Sequence, residues 1–348
     1  MATVKDNLLR LQADYYRRQE ASLAKAQNIF PLHDKERELR VQYIDDARIC
    51  KMIYKILTIG DVDKIFKSIE YHLANTKVYK FRQELKSLQN KLAKNLISEE
   101  DQVGITELSD PSLNNSWINR LRAKANIIIT KNLQPIIEPI LQNKHRIILH
   151  VTCTGLGGTP FEPGAPPAPM QIKATEELIK RGFPVEQIVL RMDPVILFNE
   201  GIKAQELVLR YFGELGVTRC RYSFLDQYPK TKENLEKLGI KPVSGFTYPK
   251  AQIQQYSAHL TEHWGSQFHL ESCCEETSHK QACVSQMDLD ILMKNAVKNQ
   301  ADFTGLANLQ LVGCKSSRRL CSCPLNKFEL MRSTPGCAYD CAYCYWKR

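Results

Sequence analysis

The hydrophobic pattern of the first third of the chain repeats every three or four residues, as it does along one face of a helix. One apolar stripe contains Ile49, Met52, Ile53, Ile56 and Leu57. Farther along, a coiled-coil-like seam contains Val78, Phe81, Leu85, Leu88 and Leu92. These two patterns predict a helical hairpin or a small helical bundle over residues 1–100.

A different rhythm begins near residue 126, where short β-branched segments alternate with amphipathic stretches of helical length. The predicted strands are 126–130, 146–153, 187–192, 219–224 and 267–271. The predicted helices are 133–142, 170–181, 203–215, one from 231, one from 251, and 288–298. Strands that alternate with such helices indicate a parallel sheet. The predicted fold class is therefore α/β, a full or partial TIM-like β/α barrel with an N-terminal helical extension.

Two changes in composition divide the chain. The polar, weakly patterned residues 98–109 separate the helical third from the α/β region. Near the other end, six of the 12 cysteines crowd into residues 314–344. We therefore expect a helical domain over 1–100, the barrel over 101–313 and a cysteine-rich segment over 314–348.

Composition and charge narrow the class of protein. With 348 residues, of which 43% are hydrophobic, the chain can bury a globular core. No apolar run approaches the roughly 20 residues of a membrane span, and no signal-peptide core opens the chain, so we expect a cytoplasmic protein without a membrane partner. Residues 1–150 hold 25 Lys and Arg against 18 Asp and Glu. This basic surface could attract nucleic acid, or it is the solvated side of amphipathic helices.

The most specific chemistry lies near the end of the sequence. Cys337, Cys341 and Cys344 are separated by three and by two residues. This spacing lets three thiolates bind three irons of one 4Fe-4S cluster and leave the fourth iron open. The motif resembles the cluster loop of radical S-adenosylmethionine (radical SAM) enzymes, which bind S-adenosylmethionine at the open iron. A zinc knuckle or a group of buried thiols is the alternative, although zinc prefers four ligands in paired motifs.

Polar residues follow the predicted strands, and in parallel β/α folds the active site lies at the carboxyl ends of the strands. The candidates for binding S-adenosylmethionine are Thr154, Gly155, Gly157, Gly158, Arg191 and Asp193. Alternation along a strand places Arg191 and Asp193 on the same face. They form either a structural ion pair or a clamp for a zwitterionic ligand. The catalytic candidates at strand ends are Arg191, Asp193, Asp226 and Glu271.

The succession of these motifs resembles an uncharacterised bacterial family, a domain of unknown function whose C-terminal cysteines are similar to the radical SAM cluster loop. Its members are sometimes labelled as relatives of DNA repair photolyases such as spore photoproduct lyase. The resemblance covers about 126–345 and includes Thr130-Lys131-Asn132, Thr154-Gly155-Leu156-Gly157, Arg191-Met192-Asp193-Pro194, Glu271-Ser272-Cys273 and Cys321-Ser322-Cys323. It implies a barrel that carries an iron–sulfur cluster.

The same resemblance implies a second set of cysteines, Cys273, Cys283, Cys321 and Cys323. Four thiolates would saturate a zinc ion or hold an auxiliary cluster, and buried free thiols are the alternative. The sequence thus favours an iron–sulfur enzyme of radical SAM type that acts on nucleic acid or a nucleotide-like substrate. The alternative is a non-catalytic, metal-stabilised protein that docks nucleic acid or a protein partner through its basic N-terminal helices.

Overall fold

The chain forms two compact units, Met1–Ser98 and Glu99–Arg348. This computed structural model describes residues 4–27, 34–59, 62–75, 80–81, 83–85, 87–88, 98–299, 304–311, 320–332 and 337–344. No helix in these ranges has the length and apolar character needed to cross a membrane.

The first unit is helical, as its hydrophobic periodicity predicts. Its helices are α1 (Val4–Gln27), α2 (Asp34–Leu57) and α3 (Val62–Asn75), and the described residues between 80 and 88 are helical too. The residues of the predicted stripe on α2 are buried except Met52, which is 40% exposed. Phe81, Leu85 and Leu88 of the predicted seam are also buried, whereas Val78 and Leu92 lie outside the described residues.

The described residues of the second unit form a sheet of seven strands, all parallel to their neighbours. They are β1 (Val103–Ile105), β2 (Asn126–Thr130), β3 (Ile147–Thr152), β4 (Ile188–Val195), β5 (Arg219–Phe224), β6 (His269–Ser272) and β7 (Lys327–Glu329). Their order in the sheet is β6-β5-β4-β3-β2-β1-β7. The predicted α/β class and parallel sheet are confirmed. The sheet is open, with β6 and β7 at its two edges, so closure into a barrel is not confirmed.

Helices connect most of the strands, because parallel neighbours need a crossover connection. They are α4 (Ile137–Gln142), α5 (Ala168–Lys180), α6 (Asn199–Glu214), α7 (Pro229–Lys237), α8 (Lys250–Trp264), α9 (Gln286–Lys298) and α10 (Thr304–Ala307). Successive strand residues point to opposite faces of the sheet. Leu149 and Leu190 belong to the apolar cluster formed with α4 to α8. Ile148 and Val189 belong to a second cluster, which includes Leu289 and Leu292 of α9.

Two strands were not predicted from the sequence. The strand β1 lies inside the segment 98–109 that was expected to be a connection, and β7 lies inside the cysteine-rich segment. Each has only three residues, which is too short to show an alternating pattern. Their formation depends on pairing with distant partners: β1 pairs with both β2 and β7.

Candidate active site at the carboxyl edge of the sheet

The cysteine loop, residues 337–344, docks against the proline-rich loop, residues 153–167, which follows β3. The Gly164 amide donates to the Tyr339 carbonyl at 2.9 Å, and the Ala342 amide donates to the Phe161 carbonyl at 2.9 Å. These are backbone bonds, so the two loops lie in direct contact. The end of the chain is thereby brought to the carboxyl edge of the sheet, where the expected active site lies.

The helix that follows β5 holds the other side of the cysteine loop. Asn234 of α7 donates its side-chain amide to the Ala342 carbonyl at 2.7 Å. Thr231, on the same helix, donates its hydroxyl to the Tyr343 carbonyl at 3.3 Å. The cysteine loop therefore lies between the proline-rich loop after β3 and the helix α7 after β5.

Beneath the loop, three side chains converge on one carboxylate oxygen of Glu162. The Lys131 ammonium, which follows β2, lies 2.9 Å from Glu162 Oε1. The Thr154 hydroxyl donates to the same oxygen at 2.8 Å, and the Tyr343 hydroxyl also donates to it. Lys131 additionally donates to the Tyr343 hydroxyl at 3.0 Å. This network joins the ends of β2 and β3 to the cysteine loop.

Both charges of this network persist over a wide pH range. Burial alone would raise the pKa of Glu162, but the Lys131 ammonium and three hydrogen bonds lower it below the ordinary 4.5. Burial alone would lower the pKa of Lys131, but the Glu162 carboxylate raises it above 10.5. The ion pair is therefore lost only as the pH falls below 4.5 or rises above 10.5.

The three cysteines of the loop differ in exposure: Cys337 is exposed, Cys344 is half-buried and Cys341 is buried. Burial raises the pKa of Cys341 to about 11, and the nearby Lys131 ammonium opposes this shift. Burial also raises the pKa of Cys337, and the charges of Asp110 and Cys344 raise it further. The thiols thus interact electrostatically, and one side of the set faces solvent.

The loop turns tightly between its second and third cysteines. The Cys344 amide donates to the Cys341 carbonyl at 3.0 Å. Between the first and second cysteines, Asp340 has a φ of 52°, in the left-handed region. In the part of the chain that the structure describes, no three His, Cys, Asp or Glu side chains are arranged as a ready metal-ion site. The chemistry of the donor set fits a cluster. Three thiols lie on one docked loop, and the Lys131 ammonium is near the buried thiol of Cys341.

The glycines predicted to contact a cofactor fold the proline-rich loop. Gly155 and Gly158 have φ values of 80° and 76°. A Cβ on Gly157 would lie 2.0 Å from the Pro166 carbonyl oxygen, so only glycine fits there. Thr154 is buried and bonded to Glu162. These residues shape the loop that carries Glu162, and their predicted contact with S-adenosylmethionine stays a prediction.

The predicted pairing of Arg191 with Asp193 is present. The Arg191 guanidinium donates to Asp193 Oδ2 at 2.9 and 2.5 Å, and Ser223 donates to the other carboxylate oxygen at 2.6 Å. Arg191 is buried, whereas the side chain of Asp193 is 30% exposed. The peptide bond between Asp193 and Pro194 is cis. The pair lies at the end of β4 with its carboxylate toward solvent.

The remaining catalytic candidates lie in different surroundings. Glu271 is fully buried and forms ion pairs with Arg219 at 2.8 Å and with Arg221. In the sheet register Arg221 is the partner of both Arg191 and Glu271. Glu271 therefore belongs to a buried charged row of the sheet. Asp226 is half-buried just after β5.

The structure also brings together the second predicted set of cysteines. The Sγ atoms of Cys273 and Cys283 lie 3.3 Å apart. The Cys283 amide donates to Cys323 Sγ at 3.3 Å, and the Cys323 amide approaches Cys321 Sγ at 3.5 Å. This set contacts the α9 side of the sheet, whereas Cys341 packs in the opposite cluster.

Three residues of the site had no role in the sequence analysis: Lys131, Glu162 and Tyr343. Lys131 stands directly after a predicted strand, and such a position is a usable signal. Glu162 and Tyr343 are 31 and 212 residues away from Lys131 along the chain. Spacing alone could not connect residues so far apart.

A family model described as "Domain of unknown function (DUF1848)" matches residues 90–346. The chain belongs to this family. The match includes the complete sheet, the proline-rich loop and the cysteine loop, and it excludes residues 1–89. The expected membership in an uncharacterised family is confirmed. No significant match to a curated protein or to a solved structure was found.

Proposed function

We propose that this protein is an iron–sulfur enzyme of radical SAM type, in which Cys337, Cys341 and Cys344 hold a 4Fe-4S cluster. The observation that supports the proposal most strongly is the position of the cysteine loop. A motif near the end of the sequence lies across the proline-rich loop after β3 and the helix α7 after β5, at the edge where β/α enzymes carry their active sites. A cysteine motif that only stabilised the fold would not need to lie at that edge.

The bound cluster would supply an open iron for the amino and carboxylate groups of S-adenosylmethionine and one electron for its sulfonium. The residues around the cysteine loop would then have specific roles. Lys131 holds a positive charge beside Cys341, which stabilises a thiolate and affects the reduction potential of a cluster bound there. Glu162 fixes both Lys131 and Tyr343, so it positions the loop.

Arg191 and Asp193 are the candidates for contacting the zwitterionic part of the cofactor. Asp193 is partly exposed at the strand end, and its carboxylate is oriented by Arg191 and Ser223. We further propose that the sheet works as a partial barrel, since its first six strands follow one another in sequence order and α4 to α8 share one face.

Metal analysis of anaerobically purified protein tests the cluster. The wild type is expected to contain about four irons per chain, and the variant Cys337→Ala/Cys341→Ala/Cys344→Ala is expected to lose at least about 80% of that iron. Cys50→Ala, a buried cysteine of the helical unit, is the matched control and should keep its iron. Stoichiometric zinc and no iron in the wild type would contradict the proposal.

Product analysis under reducing conditions separates the enzyme from a structural iron–sulfur protein. S-adenosylmethionine should be cleaved to methionine and 5′-deoxyadenosine by the wild type, and not by the triple cysteine variant. An electron paramagnetic resonance spectrum that changes on addition of S-adenosylmethionine would show an open iron. A cluster that is present but neither changes its spectrum nor cleaves the cofactor favours the non-catalytic alternative.

We propose nucleic acid as the substrate class, on the basis of the net charge of +10 and its excess in residues 1–150. Some side chains of the helical unit are already buried or paired: Tyr15 is buried, Arg18 pairs with Glu84 at 2.7 Å and Lys80 pairs with Asp46. Tyr16 and Arg17 are exposed.

Fluorescence anisotropy with labelled DNA and RNA tests this substrate class. Full-length protein is expected to bind with an affinity that falls steeply with salt, because phosphate contacts release counterions. Residues 99–348 alone, a compact unit, should bind at least about tenfold more weakly if the helices contribute. Binding that is absent at low salt would remove nucleic acid from the proposal.

A further inference from the structure

Four cysteines from three separate segments meet at a site distinct from the cysteine loop. Cys273 directly follows β6, Cys283 lies in the segment before α9, and Cys321 and Cys323 precede β7. Because β6 and β7 are the two edges of the open sheet, these sulfurs come from the segments next to both edges. They pack with apolar residues of β1, β2 and α9.

The sulfurs are in the kind of surroundings that thiolate ligands have. Backbone amides donate to Cys323 Sγ and approach Cys321 Sγ at 3.3 and 3.5 Å, and amide bonds to sulfur are a common outer shell of metal thiolates.

We propose that Cys273, Cys283, Cys321 and Cys323 bind one Zn²⁺ ion that joins the segments beside β6 and β7. The short distance between the sulfurs of Cys273 and Cys283 favours one ion over a cluster. Zn–S bonds of about 2.3 Å in a tetrahedron place the sulfurs about 3.8 Å apart, close to the 3.3 Å between the Sγ atoms of Cys273 and Cys283. In a cubane each thiolate binds a different iron, so the sulfurs stand farther apart.

Binding requires only a local rearrangement. The Sγ atoms of Cys273 and Cys283 are in contact, and the backbone amides of Cys283 and Cys323 connect this pair to the sulfurs of Cys323 and Cys321. Rotation about the Cα–Cβ bonds would turn them toward a common point, and staggered side-chain rotamers make such a rotation available. The bound ion would stabilise the unit by linking segments that are far apart in sequence.

The experiment is zinc and iron analysis of the full-length protein and three variants, purified anaerobically from zinc-containing medium. The wild type and Cys337→Ala/Cys341→Ala/Cys344→Ala are each expected to hold about one zinc per chain. Cys283→Ser is expected to lose at least about 80% of the zinc while it keeps the iron of the cysteine loop. Cys220→Ser, another buried cysteine, is the matched control and should keep both metals.

A second measurement covers the case in which Cys283→Ser does not fold. Cys321 is only partly buried, so Cys321→Ser is the milder ligand variant. Co²⁺ added to metal-free wild type should give the charge-transfer and d–d bands of a tetrahedral thiolate site, and Cys321→Ser should weaken and shift them. Wild type without zinc, zinc retained by Cys321→Ser with an unchanged Co²⁺ spectrum, or iron in place of zinc in the triple variant would each overturn the proposal. None of these results depends on activity at the cysteine loop.

Discussion

Replacing Gly164 by alanine is expected to displace the cysteine loop and to lower the iron content of the protein at least about fivefold. A Cβ at this position would lie 2.3 Å from the Ala338 carbonyl oxygen and 2.7 Å from Tyr339 Cα. Both are backbone atoms of the cysteine loop and cannot rotate away. Overpacking of this kind costs about 1–3 kcal/mol, which corresponds to a roughly 5- to 150-fold change in an equilibrium.

The measurement is iron per chain after anaerobic purification, together with limited proteolysis of the loop. Gly305→Ala is the matched control, because the atom nearest to its Cβ would be Lys124 Cε at 3.4 Å, on a flexible side chain. This variant should retain its iron. Full iron content and unchanged proteolysis in Gly164→Ala would show that docking against the proline-rich loop is not required for the cluster.

Replacing Glu271 by glutamine is expected to destabilise the protein by about 3–5 kcal/mol, the usual cost of removing one partner from a buried ion pair. Glu271 is fully buried and neutralises Arg221, which is also fully buried. Arg221 lies next to Arg191 in the sheet. Loss of the Glu271 carboxylate therefore leaves two neighbouring guanidinium groups with less negative charge to neutralise them. The urea concentration at the midpoint of denaturation should fall in proportion to this loss of stability.

The control is Glu233→Gln, which removes the partner of Lys230 from an ion pair whose side chains are 57% and 59% exposed. That change should alter the free energy of unfolding by less than about 1 kcal/mol. The double variant Arg221→Met/Glu271→Leu should recover much of the lost stability, since apolar replacements avoid the cost of burying charges. A Glu271→Gln protein as stable as wild type would mean that water or a counterion compensates Arg221.

The strands that were predicted most accurately are β2 and β5, which have the predicted bounds, 126–130 and 219–224. The β-branched run of β2 is visible in the local sequence. The strands β1 and β7 were missed because three residues carry no period. Their pairing joins segments about 220 residues apart, and no local pattern records such a contact.

The candidate site shows the same difference between features that are local in sequence and features that depend on distant residues. The spacing of Cys337, Cys341 and Cys344 is a local property, and so is the pairing of Arg191 with Asp193 two residues away on one strand face. The network at Glu162 is not local, since its partners come from the end of β2 and from the cysteine loop. Glu271 was predicted as a catalytic candidate from its place at a strand end, and its two arginine partners became visible only when the sheet was assembled.

The sequence by itself determined the helical character of the first unit, the parallel α/β class of the second and the grouping of the thiols. These are consequences of periodicity and spacing within short segments. Only the tertiary structure decided that the sheet stays open, that the cysteine loop lies over the loop after β3 and the helix after β5, and that four other cysteines meet near the edges of the sheet. Those features depend on contacts between residues distant in sequence. Such contacts form only when packing of the sheet offsets the entropy lost in closing the long chain segments between them.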